Sequence, residues 1–466
     1  SSHLGVLCLA LIIVRLIISV YVVCWVLLGN VVCAQQLPLI RDSEIEHIIR
    51  KWADPLFVTA NLNPGAVTVR IVKSKSLNAF VSGGQNLFLH SGLLIATDDP
   101  NQVLGVIAHE VGHIAGGHLA RTDEAIRLAQ NVTLTHTLLG LGMLAIGGVA
   151  GSPNAAEASG ALIAGGSIAG LRHFLSHTRA QERSADQFGL TLLNRNEVSA
   201  RGLLHFLRKF EDQDLLTEAR QDPYLRTHPL TRDRLAFIKN HVGNSRWSDV
   251  PPHPSDLKLH ARMRAKLVGF LEHPDRVLQL YPKKDQKLSA RYARAIAYYR
   301  AFDLDLAIVE VDALIAEKPY DAYFRELKGQ ILFENGRLTE AWPHYEAANQ
   351  LLPDDPLLML ELARLEIEIG TPELVSKSIT ALEQVVRIEG DNNVAWWLLS
   401  IGYGREGLMA ESALASGEQA LLEGRPKDAL LHSERASRTV SEGSPSWLRA
   451  QDIRDLATRQ EVAAQR

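Results

Sequence analysis

The first 34 residues contain a nearly continuous run of apolar side chains. Between Leu4 and Val32 the only charged residue is Arg15. Val32-Cys33-Ala34 places small residues at the −3 and −1 positions of a cleavage site, so we expect a signal peptide over 1–34 with cleavage before Gln35. The alternative is an uncleaved anchor helix, because an apolar run of this length can span a bilayer.

Hydrophobic periodicity then predicts a helix followed by short strands. Apolar side chains recur at helical spacing within residues 41–60. Residues 67–72 and 77–90 carry strand patterns. The turn residues Ser82-Gly83-Gly84-Gln85 divide the second run, which predicts strands over 78–81 and 86–90.

A second helix is predicted to begin at Pro100. Asp99 can cap it, proline suits the first helical position, and Gln102 completes a capping-box-like pattern. The mostly apolar residues 102–108 lead into the sequence His109-Glu110-Val111-Gly112-His113. Gly116-Gly117 predicts the end of the helix.

Residues 132–171 are rich in Gly, Ala, Leu and Ile. We interpret them as a partly helical flap that packs on the catalytic domain or contacts the membrane surface. A transmembrane hairpin is the alternative, although the glycine content and the length of its two halves are poor for committed spans.

Beyond a proline-rich linker at 250–255 the pattern is helical throughout and repeats every 34 residues, which is the length of a tetratricopeptide repeat. We expect a linker and connecting helix over 251–287, about four repeats over 288–446 and a polar helical tail over 447–466. A generic helical bundle explains the repeated spacing less well. The pairs that define the spacing are Pro319 and Pro353, Gly336 and Gly370, and Ala307 and Ala341.

The composition restricts the partners and the metal ligands that are available to the chain. The 466 residues carry a formal net charge of −4, which gives no sign of a nucleic-acid partner. The cysteines are Cys8, Cys24 and Cys33, so the chain after Gln35 has none. Any metal site there must use histidines and carboxylates. An exported protein without cysteines is typical of the bacterial envelope.

The pattern H-E-x-x-H predicts a metal site. His109 and His113 are four residues apart, so a helix places both imidazoles on one face, where they can bind one cation. Glu110 can then act on a catalytic water, as in zinc metalloproteases. His118 is a poor third ligand, because the metzincin spacing would require histidine where the chain has Leu119.

A carboxylate is the better candidate for the third ligand. Glu182 and Asp186 are four residues apart in a predicted helix and can face the motif helix together. Glu182 can bind the metal, and Asp186 can accept a hydrogen bond from a ligating histidine. The alternative is an ordinary amphipathic helix with solvated acids.

These motifs together resemble the gluzincin metalloproteases, the family of the CAAX prenyl endopeptidases and the Oma-type proteases. The resemblance covers roughly residues 40–245. The leader and the repeats resemble the subgroup of bacterial periplasmic β-barrel assembly-enhancing proteases. The matching segments are H-E-x-G-H at 109–113, E-x-x-A-D-x-x-G at 182–189, Leu77-Asn78-Ala79-Phe80, Gly83-Gly84, Ser91-Gly92-Leu93-Leu94, and Thr227-His228-Pro229-Leu230 with Arg232 and Arg234.

The resemblance implies one Zn²⁺ per chain, held by His109, His113 and Glu182. It implies that Glu110 is the general base and that Asp186 orients a ligating histidine. His228 has two implied roles: it stabilises the developing oxyanion, or it binds zinc as a fourth ligand and keeps the enzyme inactive until substrate arrives. The structural alternative is a turn histidine before proline.

Metalloproteases of this kind bind substrate as an added β-strand along an exposed sheet edge. We expect that edge at residues 86–90, with Asn86, Leu87 and Phe88 as the substrate-binding residues, or at 78–81. Pairing to the substrate backbone gives little sequence preference, which suits recognition of unfolded proteins.

The predicted fold class is α+β, mainly α, with a small-sheet zincin-type domain over 35–250 followed by an all-α tetratricopeptide solenoid. The implied function is a periplasmic zinc endopeptidase with a chaperone-like role in outer-membrane β-barrel assembly. Its expected partners are unfolded or stalled outer-membrane proteins and, through the repeats, the β-barrel assembly machinery. The alternatives are a non-proteolytic adaptor and an integral-membrane metalloprotease.

Overall fold

A computed structural model describes residues 37–118, 178–211 and 223–464. Its contacts form two units, Ser1–Leu39 and Ile40–Arg466. The predicted leader and the predicted flap over 132–171 lie outside the described residues. None of the described helices combines the length and the apolar character that crossing a bilayer requires.

The N-terminal part contains a small sheet and several helices. In the described residues the strands are β1 (Leu39–Ile40), β2 (Thr68–Val72), β3 (Ala79–Ser82) and β4 (Asn86–His90). The helices are α1 (Ser43–Thr59), α2 (Ser91–Ala96), α3 (Pro100–Ala115), α4 (described over 178–195), α5 (Arg201–Arg208), α6 (Pro223–Thr227) and α7 (Arg232–Asn244). The core of this part lies between α1, the sheet, α3, α4 and α5.

The strand order is β1-β2-β4-β3. β4 pairs in parallel with β2 and antiparallel with β3, so both of its sides are already hydrogen-bonded. The prediction that Asn86, Leu87 and Phe88 form an exposed edge is therefore wrong, because a strand paired on both sides has no free backbone groups for a substrate. The alternative prediction, residues 78–81, falls on β3, which is one of the two edge strands of the described sheet, with β1 at the other edge.

The start of α3 agrees with the prediction from its sequence. The Asp99 side chain accepts a hydrogen bond from the Gln102 backbone N–H, and Pro100 is the first helical residue. The capping box differs in one contact, because the Gln102 side chain accepts from the N–H of Asp98 and not from that of Asp99. The helix is therefore fixed at its beginning, about two and a half turns before His109.

The C-terminal part is all helical, which confirms the predicted fold class. Two connecting helices, α8 (Pro254–Leu271) and α9 (Pro274–Leu280), precede a series of helix pairs. The first helices of the first three pairs begin at Leu288, Ala322 and Pro356, so these helix pairs repeat every 34 residues. The pairs are α10 and α11 (Leu288–Arg300, Leu304–Glu317), α12 and α13 (Ala322–Glu334, Leu338–Leu351), α14 and α15 (Pro356–Ile369, Pro372–Ile388), α16 and α17 (Asn393–Arg405, Met409–Leu422), and α18 and α19 (Pro426–Ser437, Pro445–Ala464).

The last helix changes one predicted boundary. The sequence suggests that the repeats end at 446 and that a polar tail follows, but α19 runs through this position. Its residues Ala450, Ile453 and Ala457 are buried, and Ile453 and Ala457 pack with the preceding helices. Small apolar residues on a mostly polar helix give a weak sequence signal, which explains the misplaced boundary.

Acidic residues at repeat spacing connect the solenoid to the N-terminal part. Asp321, Asp355 and Glu389 follow one another at 34-residue intervals. Asp321 pairs with Arg262 of α8 at 2.8 Å, the Ser43 hydroxyl donates to Asp355, and Glu389 pairs with Arg41 at 2.6 Å. One edge of the solenoid thus contacts α1 and α8 through successive repeats.

Beneath this edge lies a buried ionic cluster. The Lys266 ammonium is 4% exposed and lies 2.7 Å from Asp42 and 3.3 Å from Glu44. The Tyr292 hydroxyl donates to Glu44 at 2.7 Å, and Arg262 also contacts Glu44. Removing one member would leave a buried charge unpaired, so α1, α8 and α10 are held together by a set of mutually dependent charges.

Phe302 provides a test of the repeat geometry. Gly336 and Gly370 close the turns of successive pairs with φ values of +73° and +78°, and Phe302 occupies the equivalent turn 34 residues earlier with φ +61°. Phe302 is 91% exposed. We expect Phe302→Gly to raise the free energy of unfolding by roughly 0.5–1 kcal/mol. The left-handed conformation costs a non-glycine residue about 1–2 kcal/mol, which glycine avoids. Glycine also makes the unfolded chain more flexible, and this entropy offsets part of the gain.

The measurement is the thermal unfolding midpoint followed by circular dichroism. Gly336→Ala is the matched control, and it should lower the midpoint, because the alanine side chain is strained at φ +73°. A lower midpoint for Phe302→Gly would mean that the phenyl ring contributes more to stability than its exposure indicates.

Candidate metal centre

The helix α3 places both motif histidines inside the protein. His109 is fully buried and His113 is 7% exposed, and their rings are 4.8 Å apart. Glu110 between them is also fully buried. Burying three ionisable groups on one helix is unfavourable unless partners compensate for the lost solvation, so the partners define the site.

The partners reach α3 because α3 and α4 approach each other at small residues. A Cβ added to Gly112 would lie 2.7 Å from the Ala185 carbonyl oxygen, and one added to Gly189 would lie 2.9 Å from that of Ala108. Neither position therefore accommodates a larger residue without a shift of the helices. The glycine in H-E-x-G-H and the alanine and glycine in E-x-x-A-D-x-x-G thus permit the contact that brings Glu182 to the histidines.

Four buried side chains converge where the two helices meet: His109, His113, Glu182 and His228. The Nε2 atoms of His109 and His113 are 3.2 Å apart, and Glu182 oxygens lie 3.3 Å and 3.2 Å from them. His228 Nδ1 is 3.4 Å from His109 Nε2 and 3.2 Å from Glu182 Oε1. A tetrahedral zinc with bonds of about 2.0 Å requires ligand atoms about 3.3 Å apart. These contacts match that distance, and one ligand atom from each of the four residues lies within 4.8 Å of the others.

The outer nitrogens of two histidines fix which nitrogen faces the centre. His109 Nδ1 lies 3.0 Å from Asp186 Oδ1, and His228 Nε2 lies 3.3 Å from the carbonyl oxygen of Ala79. The oxygen beside each outer nitrogen favours the proton on that nitrogen, which leaves the inner nitrogen with a free lone pair. A histidine that binds a metal through one ring nitrogen usually donates the proton of its other ring nitrogen to an oxygen.

Glu110 has the environment expected for a carboxylate that acts on a water molecule. Among the described residues, no group donates a hydrogen bond to either of its carboxylate oxygens. The nearest basic atom is His228 Nε2, 3.5 Å from Oε1. A buried carboxylate without donors is unfavourable, and a reactive water beside the donor cluster would satisfy it.

Arg234 is the residue that the sequence analysis did not assign a role. Its side chain is 4% exposed, and it donates to both oxygens of Asp186, at 2.6 Å and 2.8 Å. Its Nη1 lies 2.8 Å from Glu182 Oε2 and donates to the Pro229 carbonyl at 3.0 Å. One guanidinium thus orients both acids of α4. The only sequence signal was its place six residues after His228.

The charges of the site shift the pKa values of its groups. Burial disfavours the charged imidazole of His109, but hydrogen bonds to Asp186 and Glu182 outweigh burial and raise its pKa to about 10. Burial likewise opposes ionisation of Glu182, but the charges of His228 and Arg234 hold its pKa well below the usual range. Glu182 therefore remains ionised and favours a cation at the centre.

The structure brings together most of the site residues that the sequence predicts. His109, Glu110, His113, Glu182, Asp186 and His228 all lie at this centre. His118 does not belong to the donor set and contacts the outer side of His113. Asn86, Leu87 and Phe88 belong to the inner strand β4, whereas Ala79 of β3 contacts the centre through His228.

Comparison with known families agrees with this centre. Residues 40–242 match the model of peptidase family M48. This part of the chain is similar to peptidase family M48. Together with the relatives described below, this match supports a metalloprotease, and the donor cluster and Glu110 lie within the matched residues.

Curated relatives match beyond the peptidase domain. The beta-barrel assembly-enhancing proteases of Yersinia pestis and Escherichia coli (strain K12) are each 28% identical to this chain, over 87% of it and 82% of their own length. Among solved structures, YrrB, described as a TPR protein with an unusual peptide-binding site, covers 38% of this chain and 91% of its own at 13% identity. Its TM-score of 0.32 is too low to carry a conclusion.

The close approach of α3 and α4 predicts that one methyl group added at Gly112 weakens metal binding. Gly112→Ala would place a Cβ against the Ala185 carbonyl and push Glu182 away from the histidines. We expect zinc affinity to fall at least 10-fold, by analogy with changes in the residues that orient metal ligands. Competition with a chromogenic chelator measures this affinity.

Gly243→Ala in α7 is the control, since a Cβ there meets nothing within 4 Å. Equal zinc affinities for both variants would contradict the packing argument.

Removal of the Arg234 charge should destabilise the site in a pH-dependent way. Burial alone would raise the pKa of Asp186, and the Arg234 guanidinium lowers it below the usual range. Arg234→Leu leaves the acids of α4 without their buried cation, so we expect a loss of about 3–5 kcal/mol at pH 7. The loss should be smaller at pH 5, because the raised pKa then permits protonation of the acids.

Denaturant unfolding at the two pH values measures this difference. Arg234→Lys retains the charge but not the planar contact with both acids, so its loss should be intermediate. A loss that is equal at both pH values would show that Arg234 contributes packing and not charge.

Proposed function

We propose that this protein is a zinc-dependent endopeptidase whose metal is held by His109, His113 and Glu182. The observation that carries the proposal is the set of distances between atoms of these three buried side chains, 3.2–3.3 Å, beside a carboxylate without hydrogen-bond donors among the described residues. Two histidines and one carboxylate are the ligands of many catalytic zinc sites. With one ion per chain, the remaining position is available to substrate or water.

Glu110 is the general base in this proposal. The bound metal supplies a Lewis acid that polarises the scissile carbonyl. Glu110 accepts a proton from the attacking water as its oxygen bonds to the carbonyl carbon. It then donates this proton to the amide nitrogen as the carbon–nitrogen bond breaks. Asp186 holds the proton on His109 Nδ1 throughout, so that His109 binds the metal through Nε2.

His228 acts as a latch in the resting enzyme. Its Nδ1 lies among the donors, 3.2 Å from Glu182 Oε1, which supports a fourth-ligand role more directly than a role in oxyanion stabilisation. A fourth protein ligand would fill the position that the substrate carbonyl needs. His228 would therefore have to withdraw before catalysis, and the short helix α6 that ends at Thr227 carries it.

The edge strand β3 is the proposed substrate-binding element. The Ala79 carbonyl of β3 accepts the hydrogen bond that orients His228. A substrate strand paired along β3 would compete for backbone groups of this edge. Substrate binding and withdrawal of His228 would then be coupled, because the same carbonyl cannot satisfy both partners equally well.

The cellular setting is proposed from the relatives and the composition. Relatives that match most of the chain are named beta-barrel assembly-enhancing proteases. The expected signal peptide and the absence of cysteines after residue 33 suit the periplasm. We propose that the protein degrades stalled outer-membrane proteins there and assists assembly of others, with the repeats binding the assembly machinery or the client.

Two alternatives make different predictions. A non-proteolytic adaptor would bind clients through the repeats and would have no peptidase activity, although this chain retains Glu110 and every proposed ligand. An integral-membrane protease would resist carbonate extraction, whereas a protein whose segment 132–171 only touches the membrane surface would be released.

The decisive experiment compares metal content and casein cleavage in three proteins that begin at Gln35: wild type, Glu110→Gln and His228→Ala. We expect one zinc per chain in each. Cleavage should be lost in Glu110→Gln, because the amide cannot accept the proton, and should rise in His228→Ala, because the fourth position is open.

The other outcomes are equally informative. Zinc with loss of activity in His228→Ala would assign His228 to stabilisation of the transition state. Absence of metal and of activity in all three proteins would contradict the protease proposal and favour the adaptor.

A further inference from the structure

We propose that His118 is a positioning residue that holds His113 in the one tautomer able to bind the metal. The proposal rests on the metal site proposed above. It assigns a function to the third histidine of the segment 109–118, which lies outside the donor set.

The contact between the two rings is direct and buried. His118 is 3% exposed, and its Nδ1 lies 3.0 Å from His113 Nδ1. The ring centroids are 5.0 Å apart and the planes are nearly perpendicular, at 81°. At this nitrogen–nitrogen distance one atom must carry the proton and the other must accept it.

The position of His113 decides which atom carries the proton. Its Nε2 lies 3.2 Å from both His109 Nε2 and Glu182 Oε1, so Nε2 is the atom that faces the metal position. A neutral imidazole that binds a metal through Nε2 carries its proton on Nδ1. His118 Nδ1 must therefore be the acceptor, and the proton of the His118 ring is on its Nε2.

The turn after α3 is built to fold His118 back onto His113. A side chain at Gly116 would overlap the His118 ring, so only glycine leaves room for it. Gly117 has φ +61°, which turns the chain back at this point. The His118 carbonyl then accepts a hydrogen bond from Gln181 Nε2 at 2.9 Å.

The Gln181 contact ties this turn to the metal ligand on α4, because Gln181 directly precedes Glu182. His113 is therefore oriented from its outer nitrogen by a segment that is itself attached to the third ligand. His118 completes a set in which each proposed histidine ligand has an acceptor, with Asp186 for His109 and Ala79 for His228. The spacing explains why a histidine five residues after His113 reaches this nitrogen and not the metal.

The test compares zinc dissociation constants of the chain from Gln35 onward, measured by chelator competition. His118→Phe keeps a flat ring but removes the acceptor, and we expect zinc to bind 10–100-fold more weakly. His118→Asn restores an acceptor oxygen near the position of Nδ1, and its affinity should return to within a few-fold of wild type. Unfolding midpoints of the metal-free proteins separate zinc affinity from stability.

Two further variants keep the test decisive. His260→Phe is the matched control, because His260 is equally buried at 3% exposure but pairs with Thr97; its zinc affinity should equal that of wild type. Gly116→Ala retains the chemistry of His118 but displaces its ring, so it should weaken zinc binding even if His118→Phe does not fold.

The proposal is overturned if His118→Phe or Gly116→Ala binds zinc as tightly as wild type. It is also overturned if His118→Asn is folded but binds as weakly as His118→Phe. Absence of zinc in the wild-type protein would instead contradict the proposed metal site itself.

Discussion

The metal centre depends on the contact between the backbones of α3 and α4. Gly112 and Gly189 allow the two helices to approach until an added Cβ would lie under 3 Å from the opposite carbonyl. Without this contact Glu182, which is distant in sequence, could not come within 3.3 Å of His109. The same contact brings Asp186 to His109, and Arg234 then pairs with both acids of α4.

Charge is the second constraint on the same site. Glu110, Glu182 and Asp186 are all nearly or fully buried, and Arg234 is the buried guanidinium that pairs with two of them. A buried charge is costly unless it is paired. When His109 is neutral, as a metal ligand must be, the one fixed cation of Arg234 does not neutralise three carboxylates, so a divalent ion at the donor atoms is the natural complement. The raised pKa of His109, about 10, reflects the same excess of negative charge.

Local patterns in the sequence predicted the metal-binding helix, its cap, the acids of α4 and the 34-residue repeats, because each depends on spacing within one element. Features that depend on contacts between elements could not be predicted in this way. The inner position of β4 follows from its pairing with β2, which residues 86–90 do not reveal. The role of Arg234 required the fold of α7 onto α4, and the burial of Ile453 required the preceding helix pair.

The proposed latch links these two constraints to regulation. If His228 occupies the fourth position for most of the time, the apparent affinity for substrate falls by the fraction of enzyme in which that position is open. The fraction is set by the interactions of His228 that are lost on withdrawal, with Glu182 and with the Ala79 carbonyl. A latch of this kind can keep non-specific cleavage low. A substrate strand that pairs along β3 can still displace it, and a protease that acts on unfolded proteins requires both properties.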